Sequence, residues 1–144
     1  MSAASKETVL NLLIVQVKIN YMIIPVVTKD LIFFSKLKSS CKQNYDLVQV
    51  KNEHDIETIL IKCNYPICIM DIAFNLVDTI YFKEIFKNRG CHTIDTIAYY
   101  PHIDSALKEK AVKIGTKKQL TKNQLVKNVK KVIEELVFES IIEP

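Results

Sequence analysis

The stretch Tyr65-Pro66-Ile67-Cys68-Ile69-Met70-Asp71 limits what this chain can become more than any other. Four apolar residues follow a proline and end on a carboxylate. A short run with no polar face, bounded by a breaker, is the pattern of a strand buried on both sides. Such strands belong to parallel sheets covered by helices. In open sheets of that kind, ligands bind beyond the carboxyl ends of the strands. Asp71 falls at such an end, where its charge keeps access to water or a cation. One residue earlier, its burial would cost several kcal/mol.

The rest of the composition suits one domain. With 144 residues, 49% hydrophobic and 25% charged, the chain can bury a substantial core. Only two glycines are present, so a glycine-rich phosphate loop is excluded. A net charge of +4 permits contact with an acidic partner but does not by itself argue for nucleic acid. Cys41, Cys63, Cys68 and Cys91 have no CxxC spacing, and no histidine completes a zinc pattern. They read as free thiols in a reducing compartment. The apolar run Leu12–Val15, within Val9–Val17, falls far short of the ~20 residues a bilayer needs and lacks a basic leader. A membrane partner and a signal peptide are therefore not expected, and the expected location is the cytoplasm.

Residues 1–20 are an extension whose pattern mixes helical and strand periods; an added helix, an edge strand and a start-site artefact before Met22 all remain open. From Met22 the chain alternates. Met22–Val27 is a first strand, burdened by Pro25, which removes a ladder donor. Asp30 is placed to cap a helix over 31–42 with Leu31, Phe34, Leu37 and Cys41 inward. Asp46–Val50 is a second strand, and Asn52 caps a helix with Ile56, Ile59, Leu60 and Cys63 inward. The organising strand covers 66–72. A helix over 77–87 turns Ile80, Tyr81 and Ile85 inward and ends at Gly90. A fourth strand over 93–100, a helix over 103–114 closed by Gly115, a short strand at Gln119–Leu120 and a last helix over 121–138 follow. A tail over 139–144 is expected to be poorly ordered. Five strand–helix alternations predict an α/β, flavodoxin-like domain over 21–138: a five-stranded parallel sheet in the order 2-1-3-4-5 with helices on both faces.

Four words in this order carry a resemblance: IIPVVTKDLIFFSKL over 23–37, PICIMDIAF over 66–74, TIAYYPHIDSALKEKAVKIG over 96–115 and LTKNQL over 120–125. The chain resembles the receiver domain of response regulators in two-component signal transduction. The resemblance implies that Asp71 stands at the phospho-acceptor position and that Lys122 is the phosphoryl or carboxylate partner. Tyr100 falls at the Ser/Thr switch position. A working receiver holds Mg²⁺ through further carboxylates after the first strand, because a carboxylate alone is a poor nucleophile. Here that acidic pair falls on Thr28 and Lys29, or on Lys29 and Asp30. Asp30 and Asp71 are thus the metal candidates if Mg²⁺ binds at all, and otherwise no cofactor is expected. Gln119 and Asn123 also depart from the pattern. The departures gather on the chemistry, while the matches gather on the fold.

The expected function is a stand-alone, degenerate receiver-like module acting by protein contact without Mg²⁺-dependent phosphorylation, and so not an enzyme. Its partner is a second protein or a second copy, met through the fourth helix, fifth strand and fifth helix. One alternative is a phosphorylatable single-domain regulator with Asp71 as acceptor. Another is a small flavodoxin-like enzyme using the crevice near Asp71 and His102, although His102 can equally pack or cap a helix. Lys29 and Lys122 are expected to lower the pKa of Asp71 and stand in for the metal. Tyr99 and Tyr100 form a recognition surface or, for at least one of them, core. The lysines at 117, 118, 122, 127, 130 and 131 can meet acidic protein or nucleic acid, or form a solvated helix face. The absence of an aromatic platform or helix-turn-helix favours the last and disfavours nucleic acid.

Overall fold

Successive residues of a strand point to opposite faces of its sheet, and here both faces are apolar. Ile24, Val26, Ile67, Ile69, Ile97 and Tyr99 enter one buried cluster. Their neighbours Val27, Cys68, Met70, Ala98 and Tyr100 enter another. A sheet with two apolar faces must be covered twice, which yields three layers. The computed structural model describes residues 22–41, 45–87 and 94–142. Expectations about residues 1–20, Gly90 and Cys91 lie outside the described residues.

The elements follow in strict alternation: β1 (Ile23–Val27), α1 (Leu31–Cys41), β2 (Asp46–Val50), α2 (Glu53–Asp55 continuing as Ile56–Ile61), β3 (Ile67–Asp71), α3 (Leu76–Phe82), β4 (Asp95–Tyr100), α4 (Ser105–Lys113), β5 (Lys118–Thr121) and α5 (Lys122–Ile142). All strand pairs are parallel, and the five strands lie in the order β2-β1-β3-β4-β5. The predicted flavodoxin-like architecture is therefore the observed one. Helices α1 and α5 cover the first face, supplying Phe33, Leu37, Leu125, Val129 and Ile133 to its cluster. The second face is covered by α2, α3 and α4, through residues such as Ile56, Leu60, Val77, Ile80 and Ala111.

Local chemistry sets the boundaries. Asp30 Oδ1 accepts from Phe33 N at 3.0 Å, Asn52 Oδ1 from Asp55 N at 2.9 Å, and Asp104 Oδ1 from Ala106 N at 3.0 Å, so three helices start on side-chain caps. Gly115 has φ +88°, a left-handed value that closes α4 and that other residues adopt only under strain. Pro25 sits in an inner strand: β1 pairs with β2 along its length, but its ladder with β3 is confined to Val26 and Val27, just past the proline. The missing N–H is accommodated by shortening that ladder.

Four expectations change, the first being the end of α3, which stops at Phe82 rather than at 87, with Glu84 at φ +54° just beyond. Leu31 does not enter the core; it is 62% exposed, and Phe33 takes its place beside Phe34, Leu37 and Cys41. The cap on Asp30 sets the helix phase, and in that phase Leu31 and Ile32 face outward. Residues 56–61 form a π-helix rather than an α-helix. With more than four residues per turn, positions three apart leave the common face, so Ile56 and Leu60 are buried while Ile59 is only packed against the cluster. Finally, α5 continues to Ile142, past the end expected at 138.

The orientation of α1 predicts a contrast in urea denaturation. Leu37→Ala should lower stability by roughly 2–5 kcal/mol, as truncation of a fully buried leucine does. Leu31→Ser should change it by no more than about 0.5 kcal/mol. Equal losses would mean that α1 buries a different face.

Candidate functional site

In a parallel sheet every carboxyl end lies on the same edge. The turn Thr28–Asp30 follows β1, Asp71 ends β3, Tyr100 ends β4, and Lys122 opens α5 directly after β5. The sheet thus brings the expected acceptor, the acidic-turn residues and the lysine to one rim. These residues are up to 94 positions apart in the chain and meet only through the strand order.

Asp30 and Lys122 form the strongest contact there. Lys122 Nζ donates to Asp30 Oδ2 at 2.5 Å, while Asp30 Oδ1 holds the first turn of α1. Both carboxylate oxygens are engaged. The Lys122 hydrogen bond, followed by the Phe33 N–H, lowers the Asp30 pKa from 3.8. The ammonium of Lys122 also lies 5.0 Å from the centre of the Phe33 ring. Phe33 in turn packs on Tyr99, with ring centroids 4.5 Å apart.

Tyr99 completes a circuit. It pairs in register with Asp71 on β3, yet its hydroxyl reaches across that strand to β1 and donates to Thr28 Oγ1 at 2.7 Å. Thr28 is fully buried, and the same oxygen accepts from Asp30 N at 3.0 Å. Burial pushes the Tyr99 pKa well above its usual value, so the hydroxyl keeps its proton and remains a donor. The chain of contacts therefore runs Tyr99, Thr28, Asp30, Lys122, Phe33 and back to Tyr99.

Asp71 stands beside this circuit without joining it. Its Oδ1 accepts from Ala73 N at 3.0 Å, and among the described residues it makes no ion pair. Burial raises its pKa above 3.8, outweighing the downward pulls of the Ala73 N–H and of Lys122. This reverses the expected direction. Lys122 acts on Asp71 electrostatically, but its hydrogen bond goes to the other carboxylate. Lys29 makes no ion pair with Asp71; its ammonium lies 5.4 Å from the centre of the Phe74 ring.

The remaining candidates separate. Tyr100 is buried in the opposite layer from Tyr99, so both tyrosines are core and neither forms a recognition surface. His102 is exposed in the turn after β4, and the cap of α4 is Asp104 rather than His102. Lys110 on α4 was not anticipated. Its ammonium bonds Asp78 at 2.9 Å and the carbonyl of Ile72, next to Asp71, at 3.3 Å. Tyr99 was also missed as a site residue. Its only advance signal was its place near the end of β4, because a contact across an intervening strand leaves no local pattern.

No protein-family model and no curated protein sequence matches the chain. Solved structures do match it. A response regulator from Thermotoga maritima superposes with a TM-score of 0.61 at 20% identity, covering 78% of this chain and 98% of its own. A signal receiver domain of a two-component histidine kinase from Clostridium thermocellum gives 0.58 at 15% identity, covering 82% and 97%. A CheY-like response regulator from Mesorhizobium loti gives 0.55 at 12% identity, covering 81% and 98%. The fold is that of a receiver domain. At these identities the likeness concerns the fold alone, and the receiver-like rim must be judged by its own geometry. Among the described residues no three His, Cys, Asp or Glu side chains converge as a metal cluster.

Two outcomes follow from the rim. A folded-state pKa above 3.8 means that ionised Asp71 opposes folding, a cost absent at low pH and complete above that pKa. Asp71→Asn should thus be more stable than wild type at pH 7. The advantage should fade as the pH falls through the folded pKa toward 3.8, in thermal melts recorded across that range. Tyr99→Phe removes the buried donor but leaves Thr28 Oγ1 bonded to Asp30 N, so it should cost only about 1 kcal/mol in urea titration.

Proposed function

We propose that this domain is a receiver-like signalling module that works in the cytoplasm by protein contact and takes up no phosphoryl group through Mg²⁺. The observation that carries this reading is the pair between Lys122 and Asp30. In a metal-dependent receiver the acids after the first strand hold the ion. Here Asp30 is occupied by an ammonium and a helix cap, and the hydroxyl of Thr28 is occupied by Tyr99. A divalent ion ~4 Å from the ammonium would be repelled by about 8 kcal/mol at an effective dielectric of ~20. Mg²⁺ also favours octahedral oxygen ligands with free carboxylates, and of Asp30 and Asp71 only Asp71 lacks an ammonium partner among the described residues. The donor set is a poor fit for that ion, and no step is assigned to it.

Contact through α4, β5 and α5 is supported by apolar side chains left in solvent there. Ile103, just before α4, is 89% exposed, and Val112 on α4 is 56% exposed. No helix among the described residues is long and apolar enough to cross a membrane. A second reading is a phosphorylatable regulator with Asp71 as acceptor. It is favoured by the position of Asp71 at the end of β3 and by its freedom from an ion pair among the described residues.

Incubation with Mg²⁺ and acetyl phosphate, followed by intact-mass measurement, separates the two. The expected result is no phosphoryl adduct on the wild type. In parallel, Thr28→Asp with Lys29→Asp, which restores acids after β1, should strengthen Mg²⁺ binding by tenfold or more in titration calorimetry, as added carboxylates do at a hard-cation site. An adduct on the wild type that disappears in Asp71→Asn would establish the second reading instead.

A further inference from the structure

Charge is segregated on the two helices that cover the first face of the sheet. Helix α1 holds Lys36 and Lys38 and no acid. Along α5, Lys122, Lys127, Lys130 and Lys131 all precede the first acid, Glu134. The helices of the other face differ: α2 opens on Glu53 and Asp55, and α4 pairs Glu109 with Lys113. Lys36, Lys127, Lys130 and Lys131 are exposed and, among the described residues, make no ion pair. At the start of α1, Leu31 is 62% and Ile32 73% exposed. One groove joins Leu31, Ile32 and Lys36 to Val126 of α5, and a second continues from Val126 along Lys127, Lys130 and Lys131. The apolar pair and the free lysines therefore share one side of the domain.

We propose that this side rests on an anionic lipid bilayer, with Leu31 and Ile32 entering the boundary between headgroups and acyl chains and the four lysines facing the acidic headgroups. No membrane partner is expected from the sequence, because no segment can span a bilayer; a contact at the surface needs no spanning segment. Aliphatic side chains set among lysines are the chemistry of such a contact, in which apolar insertion and attraction to anionic lipid add. Lys36 lies only about 6 Å along the helix axis from Ile32, inside the ~8 Å over which salt leaves a surface potential unscreened. The lysines are spread over two helices, so they ask for a negative potential rather than for carboxylates at fixed points. Protruding aliphatic side chains likewise suit a medium that yields around them. A second copy of this chain would set the same lysines against one another. A nucleic acid would use the lysines but leave Leu31 and Ile32 without a role, and the nearby rings of Phe33 and Phe34 are buried and offer it no stacking platform. This contact goes beyond the protein-contact reading and does not rest on it.

The test uses the full chain with vesicles of phosphatidylcholine alone and of phosphatidylcholine and phosphatidylserine in equal parts. Co-sedimentation should show binding at least tenfold tighter to the serine-lipid vesicles, falling with added salt. Lys127→Glu/Lys130→Glu should weaken it at least tenfold further, with far-UV circular dichroism and melting temperature as in wild type, since both positions are exposed. The chain contains no tryptophan, so Ile32→Trp supplies a single reporter of depth. On the serine-lipid vesicles its emission should shift to the blue and be quenched by lipids brominated on their acyl chains, whereas Ile103→Trp on the α4 side should do neither. Equal binding to both vesicle types, full binding by the double glutamate variant, or unchanged emission from Ile32→Trp would each overturn the bilayer contact. Tighter binding of a single-stranded oligonucleotide or of a glutamate-rich peptide than of the serine-lipid vesicles, lost in the same double variant, would overturn lipid as the partner. A phosphoryl adduct on Asp71 would overturn only the reading given above for the rim, since Asp71 lies outside both grooves.

Discussion

One ammonium group ties the candidate site at the rim together. Lys122 stands where β5 passes into α5, and its charge is held by Asp30, where β1 passes into α1. The pair joins two strands at different positions in the sheet and the two helices that cover one face. Its side chains are about one-third exposed, at 33% and 38%, so its worth as an isolated ion pair is modest. Its importance lies in what each partner also does. Asp30 starts a helix, and Lys122 lies over the ring of Phe33, which packs on Tyr99. Networks that share members in this way respond together when one member is lost.

The same circuit decides the electrostatics of Asp71. A lysine hydrogen-bonded to Asp71 would depress its pKa, but Lys122 is engaged elsewhere and burial prevails. The rim therefore holds two carboxylates with opposite shifts, Asp30 low and Asp71 high. Separation of this kind often accompanies function, though structural ion pairs also produce it. Here its source is visible: one acid has the cation and the other has the apolar surroundings.

Much of the fold was legible because its signals are local. The apolar run before Asp71 required a strand covered on both sides, and strict alternation of strands and helices required parallel pairing. The caps at Asp30 and Asn52 and the stop at Gly115 are read from single residues. Where local rules competed, the reading slipped. Leu31 fits an apolar stripe as well as Phe33 does, and the helix phase set by the cap chose Phe33. The run Ile56–Ile61 has an α-helical period, yet it is wound as a π-helix with Ile56 and Leu60 buried. At the rim, Asp71, Asp30 and Lys122 were identified by type and order, whereas their pairing was not.

The amino-acid order by itself determined the three-layer α/β architecture, the placement of Asp71 at a strand end and the scarcity of acids after β1. These are properties of residue type, period and breaker position, and each acts within a few residues. Tertiary structure alone decided that Lys122 would bind Asp30 rather than Asp71, and that Tyr99 would cross a strand to occupy Thr28. Those choices depend on register and burial between segments up to 92 residues apart, distances over which no local pattern carries geometric information.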